Sequence, residues 1–334
     1  MTLVQRLKRL GIDTYLLLIL ATVALAALFP VSGSAADFVK LLSVLGVALL
    51  FFLYGARLDT SAVIGGLANW RLQLLVFVCT FIAFPLIAFG EVSLFGNLLD
   101  KNLALGLLFV GVLPSTVQSS IAFTALAQGN VPAAVCAASI SNLVGVVLTP
   151  ALCAFLLHTN GGGIDPSAVG SIALQILAPF IAGQLLRRWI GDWVKRHRLI
   201  TLSVDRGSIL LIVYSAFSAG MVAGIWSQVS ISTLLLILGC AAGMLAIVMV
   251  LSMVVGRALG MPRADLMSVL FCGSTKSLAT GVPMANILFA GQAVSVIILP
   301  IMLYHQTQLI VCAIISQRQA ALQAAAAAAA VPAE

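Results

Sequence analysis

Two short clusters of small polar residues, each set inside a long apolar run, hold the side chains best suited to chemistry. The first reads Pro114-Ser115-Thr116-Val117-Gln118-Ser119-Ser120, and the second Gly273-Ser274-Thr275-Lys276-Ser277. Hydroxyls, an amide and one ammonium can hold an ion or an anionic group. Lys276 is the most informative of them, because it is the charged side chain that falls deep in an apolar run. An ammonium at that depth costs roughly 2.5–3.5 kcal/mol or more, so such a residue usually marks a pathway or a site. Two roles are open to it. It can attract an anionic solute, or it can stand where a coupling cation would sit. Ser139, Ser141 and Asn142, with His305, Gln306 and Gln308, add further polar groups in the runs that follow the clusters, and Thr80 is a weaker candidate.

The elements that must position these groups are transmembrane helices. Of 334 residues, 62% are hydrophobic and only 8% charged, against about 25% charged in an ordinary soluble domain. A soluble globule and a disordered chain are both excluded. A membrane β-barrel is excluded too, because its strands alternate apolar and polar residues. Apolar runs able to cross about 30 Å of hydrocarbon recur at roughly 12–30, 37–56, 72–91, 102–127, 131–157, 168–190, 206–226, 231–256, 264–289 and 291–316. Ten spans with a cytoplasmic N-terminus put 14 of the 17 basic residues on the cytoplasmic side and only Lys40 and Lys101 opposite. That bias follows the positive-inside rule. It predicts a multi-pass protein of the plasma (inner) membrane with both termini cytoplasmic. The net charge of +7 is then a topology signal, and no nucleic-acid partner is expected. The Trp- and Arg-rich segment from Arg187 to Arg198 reads as a cytoplasmic loop anchored at the headgroups. Residues 319–334 form an Ala-rich tail expected to be disordered.

Enzyme chemistry finds no support. The six cysteines lie in apolar runs without CxxC spacing, and no HExxH, GxSxG or P-loop occurs. No metal site and no cofactor are expected. The glutamates are Glu91 and Glu334, and the aspartates fall in loops or at span ends. No carboxylate is therefore expected in the core to bind Na⁺ or carry a proton.

The halves of the chain echo each other. Spans three to five begin near 72, 102 and 131, and spans eight to ten near 231, 264 and 291, an offset of about 160. The pairs Ser115-Thr116 and Ser274-Thr275 lie 159 residues apart. Five spans per half make the second half enter from the opposite side, an inverted-topology repeat of the kind found in secondary transporters. Pro114, and Gly273, Gly281 and Pro283, predict that spans four and nine break near the bilayer centre. Unwound backbone is tolerated there only inside protein or against a wet cavity.

Four segments carry a family likeness: Leu49 to Leu58, Leu113 to Thr124, Gly129 to Cys136, and Phe271 to Ala279. In them the chain resembles the bile acid:sodium symporter superfamily, most closely its YfeH-type, SBF-like branch, over residues 1–318. The resemblance implies an all-α integral membrane protein of ten helices in two inverted five-helix repeats. It implies a panel domain (12–56 and 168–226), a core domain (72–157 and 231–316), and discontinuous helices four and nine that cross at the site. It also implies alternating access with a small organic, anionic solute. Site candidates are then Ser115, Thr116, Gln118, Ser119, Ser120, Ser139, Ser141, Asn142, Ser274, Thr275, Lys276, Ser277, His305 and Gln306. The chain departs from the family pattern where sodium is held. The family's Pro-Gly-Gly and Ser-Asn of helix four match Pro114-Ser115-Thr116 and Ser119-Ser120, and the Glu and Gln of helix nine match Cys272 and Lys276. The sodium hydroxyls of helix five match Ala134 and Ala138, and a helix-three Gln matches Thr80. The fold carries over and a sodium ligand set does not, so coupling to Na⁺, to H⁺ or to neither stays open. A membrane sensor that binds without transporting is the competing reading.

Overall fold

The computed structural model describes residues 14–57, 69–159, 166–224 and 230–329, and no strand occurs among them. Helices α1 (Thr14–Leu28) and α2 (Gly33–Arg57) come first. Helix α3 (Trp70–Val78) passes through a π-helical turn, Cys79–Ala83, into α4 (Phe84–Phe95). Helices α5 (Lys101–Val112) and α6 (Gln118–Leu126) are the halves of one interrupted run, and α7 (Val131–Thr159) follows. Next come α8 (Pro166–Arg196), α9 (Arg198–Val222) and α10 (Ile231–Ala258). A second interrupted run comprises α11 (Arg263–Ser274) and α12 (Leu278–Leu288), before a short α13 (Val294–Ile297) and a long α14 (Leu299–Ala329).

Local chemistry explains several of these ends. The Asp100 side chain accepts from the Asn102 N–H at 2.8 Å and starts α5, and Ser230 accepts from the Thr233 N–H at 3.2 Å and starts α10. Both satisfy amides that a helix start leaves unpaired. At the start of α11, Asp265 accepts from Asn69 Nδ2 at 2.8 Å and from Asn130 Nδ2 at 2.7 Å. One carboxylate thus ties the beginnings of α3, α7 and α11 together.

Among the described residues, six helical stretches are long and apolar enough to cross a membrane: Gly33–Ala56, Trp70–Leu98, Val131–Leu156, Leu199–Val222, Ile231–Ala258 and Val294–Gln323. They coincide with six of the ten expected runs. The runs at 102–127 and 264–289 are not among them, because each is split into two short helices. The outer face of α10 shows why water is the wrong solvent. Leu235, Leu238, Ile247, Val250 and Val254 are 41–63% exposed along one helical stripe.

Helices α8 and α9 pack on α2, and α9 also packs on α1. The α2–α8 contact is made by glycine. A Cβ on Gly55 would lie 2.0 Å from the Phe180 carbonyl oxygen, and one on Gly183 2.0 Å from that of Phe52. Small residues let helix backbones approach this closely in a membrane. Gly183→Ala is expected to push the pair apart and cost about 1–3 kcal/mol or more. A lowered thermal midpoint in detergent would register it, and an unchanged midpoint would contradict the contact.

Several sequence expectations are corrected. The segment Arg187 to Arg198 is not a loop. Helix α8 runs to Arg196 and α9 begins at Arg198, with Arg188 stacked 3.7 Å over the Trp189 ring. The Ala-rich tail is helical to Ala329 as a continuation of α14, in keeping with the helix propensity of alanine. Residues 330–334, and the basic Arg6, Lys8 and Arg9, lie outside the described residues. Buried carboxylates do exist. Asp265 and Glu91 are each 9% exposed. Glu91 was placed at the end of a span, but the helical run continues to Leu98 and carries it inside.

Candidate functional site

The two interruptions meet. The chain leaves α5 at Leu113, which is extended (φ −71°, ψ 151°), and leaves α11 at Thr275, which is extended too (φ −97°, ψ 147°). Pro114 explains the first break, since it has no N–H to donate and forces the preceding residue out of the helical region. The second break restarts at Ser277, whose hydroxyl accepts from the Thr280 N–H at 3.1 Å. The Ser277 N–H donates to the Pro114 carbonyl at 3.0 Å, and the Ser115 and Thr275 hydroxyls lie 3.2 Å apart.

Each break frees backbone groups that must find partners in a low-dielectric interior. The Ser115 N–H donates to Ser141 Oγ at 2.9 Å, and Thr149 Oγ1 donates to the Val112 carbonyl at 2.8 Å. Ser120 Oγ donates to the Thr116 carbonyl. Asn142 bridges both breaks. Its Nδ2 donates to the Ser115 carbonyl at 2.7 Å, and its Oδ1 accepts from Thr280 Oγ1 at 3.0 Å. On α14, Gln308 pairs with the backbone of Lys276. Its Oε1 accepts from the Lys276 N–H at 2.7 Å, and its Nε2 donates to the Lys276 carbonyl at 2.9 Å. Tyr304 OH donates to the Ser274 carbonyl at 2.7 Å.

Lys276 itself is 0% exposed. Its Nζ donates to three backbone carbonyls, those of Thr80 at 2.9 Å, Gly111 at 2.8 Å and Leu113 at 2.7 Å. Three carbonyls at hydrogen-bond distance match the three N–H donors of an ammonium and would leave none of them free. It also lies 4.1 Å from the centroid of the Phe84 ring, a distance at which the ring face attracts a cation. The three carbonyls are free for local reasons. In the π-turn the Phe84 N–H reaches back five residues to Cys79. Pro85 would reach Thr80 in the same way but has no N–H. Gly111 and Leu113 sit at the C-terminal end of α5, where carbonyls lack helical partners and carry partial negative charge.

Of the residues singled out in the sequence, Ser115, Thr116, Ser119, Ser120, Ser141, Asn142, Ser274, Thr275, Lys276 and Ser277 gather around the crossing. His305 joins through Gln308, whose Nε2 lies 2.8 Å from its Nδ1. Three do not join. Ser139 donates to the Val135 carbonyl of its own helix, Gln118 is exposed, and Gln306 is half-buried away from the hydrogen-bonded set. Sequence reading missed Tyr304, Thr280, Thr149 and Phe84. Only Thr280 had a local signal, three residues after a helix-starting serine.

No metal-ligating cluster occurs among the described residues. Ser115, Thr275, Lys276 and Ser277 at the crossing are buried, whereas Val117 and Gln118 beside the first break are exposed. A cavity of about 820 Å³ is lined by α2, α8, α9, α12 and the segment leading into and starting α13. Lys40, Ser215, Asn286, Gln292 and Ser295 supply its polar groups among many small apolar residues. No residue of either break lines it.

A profile of the SBF-like CPA transporter family matches residues 13–321. An uncharacterised protein of Pseudomonas aeruginosa is 51% identical over 309 residues, 92% of this chain and 93% of that protein. The Escherichia coli K12 protein named "Putative symporter YfeH" is 44% identical over 307 residues, 92% of each chain. Sodium/bile acid cotransporter 7 of Rattus norvegicus is 29% identical over 276 residues, 80% of each chain.

Proposed function

Since the chain belongs to the SBF-like CPA transporter family, and is a multi-pass membrane transporter with no enzyme among the relatives named above, we propose that it is a secondary transporter of a small organic anion. In this reading it works by alternating access and needs no sodium. The observation that carries the reading is the Lys276 ammonium, held by three carbonyls at the meeting of two broken helices. A lysine whose donors are all used, and which water does not reach, has nothing left to offer a solute. Of its two roles, the fixed internal cation is therefore the better supported.

We take the fold to be ten helices in two inverted repeats, with both termini cytoplasmic in the inner membrane. The two similar runs of long helix, broken helix and long helix support this arrangement. The four-helix unit α1, α2, α8 and α9 acts as the panel and the rest as the core. The cavity between them is the solute's route, and Lys40 supplies positive charge for an anion at its edge. Alternating access then slides the core past the panel while the crossing stays intact. The resemblance to sodium cotransporters supports transport, but not the sodium.

Uptake by proteoliposomes, screened over organic anions with sodium or with N-methyl-D-glucamine as the external cation, tests this reading. The expected result is accumulation of at least one anion at the same rate in both cations. Binding without flux would favour a sensor on the same fold, and strict sodium dependence would overturn the internal-cation assignment.

A further inference from the structure

Glu91 lies on α4, seven residues from the Leu98 end of its span, which is about 10 Å of helical rise. It is 9% exposed, and its Oε2 is fully buried with no hydrogen-bond partner. Its Oε1 rests against α10 at Gly243, where a Cβ would lie only 3.5 Å away. Val92, next to it in the chain, packs against an apolar cluster that includes Ile237, Leu103 and Leu107.

Charged and titratable neighbours are few. On α10 the nearby group is the Cys240 thiol, and on α14 the Tyr304 phenol, both close enough to feel a charge on Glu91. On α5, Asp100 and Lys101 stand at the exposed start of the helix. None of these pairs with the carboxyl. An ionised carboxylate buried without a cation or a donor is very unfavourable in hydrocarbon. The neutral acid is the form that this packing accepts.

Glu91 is also placed to matter for the crossing. It follows Phe84 by seven residues, two turns along one face of α4. Phe84 packs edge-on against Tyr304 with ring centroids 5.9 Å apart. The other face of that pair serves the site, because Phe84 stacks on the Lys276 ammonium and Tyr304 holds the Ser274 carbonyl. A change of charge at Glu91 therefore bears on the rings that border the crossing.

We propose that Glu91 is a proton-binding site, protonated where α4 and α10 bury it and ionised when water reaches it from the Leu98 end of the span. The proton comes from and returns to the aqueous phase at the Leu98 end of the span, with no other bond made or broken. If the protein transports as read above, this site would couple a proton to the solute. The site itself can be tested without any solute.

Infrared difference spectra of the purified protein in lipid, recorded as the pH is lowered, read the carboxylic acid C=O stretch directly. The expected result is a band that grows with acidity in the wild type and is lost in Glu91→Gln. Should Glu91→Gln not purify as a folded protein, Glu91→Asp serves the same comparison, and a band moved in frequency is expected. A band unchanged by pH, or identical in wild type and variant, would overturn the proposal. Uptake could then still proceed, so the failure of the proton site and the failure of the transport reading are separable.

Discussion

Lys276→Met is expected to abolish uptake and to lower the thermal midpoint more than any other single substitution in the core. Methionine keeps the length of the side chain and removes all three donors. The carbonyls of Thr80, Gly111 and Leu113 then lose their shared partner in a fully buried place. A buried acceptor left alone costs about 1–3 kcal/mol in soluble proteins, and average polar contacts between membrane helices measure about 0.6 kcal/mol. Three such losses span roughly 2–9 kcal/mol, which is a large share of a typical folding free energy of about 5–15 kcal/mol. Lys276→Arg is not expected to rescue. The guanidinium is a planar fork suited to paired oxygens and does not fit a compact three-carbonyl cup under a ring. Thermal unfolding followed by size-exclusion fluorescence measures the loss. Wild-type stability in Lys276→Met would remove the ammonium from the account.

Asn142→Ala is expected to cut the initial uptake rate by about tenfold or more while leaving the protein folded. This side chain spans the two breaks through the Ser115 carbonyl and the Thr280 hydroxyl. Each lost bond is worth about 0.5–1.5 kcal/mol, small enough to survive. About 1.4 kcal/mol against the productive geometry is already tenfold. Asn142→Asp is expected to do no better. It retains the acceptor for Thr280 but turns the Nδ2 donor into an oxygen facing the Ser115 carbonyl. Equal uptake by wild type and Asn142→Ala would mean that the breaks need no bridge.

Six of the ten expected spans were legible because apolar length is a bulk property of the sequence. So was the first break, since a proline in mid-run leaves few alternatives. The second break was legible from Gly273, Gly281 and Pro283 and from its echo of the first, although Thr275 and Ser277, where the chain is extended, carry no comparable steric demand. What holds Lys276 was not legible. Its partners are backbone carbonyls, which have no letter in a sequence, and one of them is freed by a π-turn that ends beside Pro85. The lysine itself pointed to the site, but whether it met solute or protein depended on a fold that brings residues 80, 111 and 113 to residue 276. Glu91 was misplaced for a simpler reason. The run expected over 72–91 stops at Glu91, whereas Val92 and Leu94 carry the apolar helix past it. The basic Trp segment falls between two expected spans and so reads as a loop, yet arginine and lysine are good helix formers, and α8 runs through it to Arg196.

If Lys276 is the cation of the core, sodium has no place there. Thermal midpoints of the wild type and of Lys276→Ala can be compared in sodium chloride and in N-methyl-D-glucamine chloride at equal ionic strength. A ligand that binds only the folded state raises the midpoint as its concentration rises above its dissociation constant. The expected result is a wild type indifferent to sodium and a Lys276→Ala protein stabilised by it, as the ion enters the emptied cup of carbonyls. A wild type that sodium stabilises would mean that Lys276 does not take the ion's place.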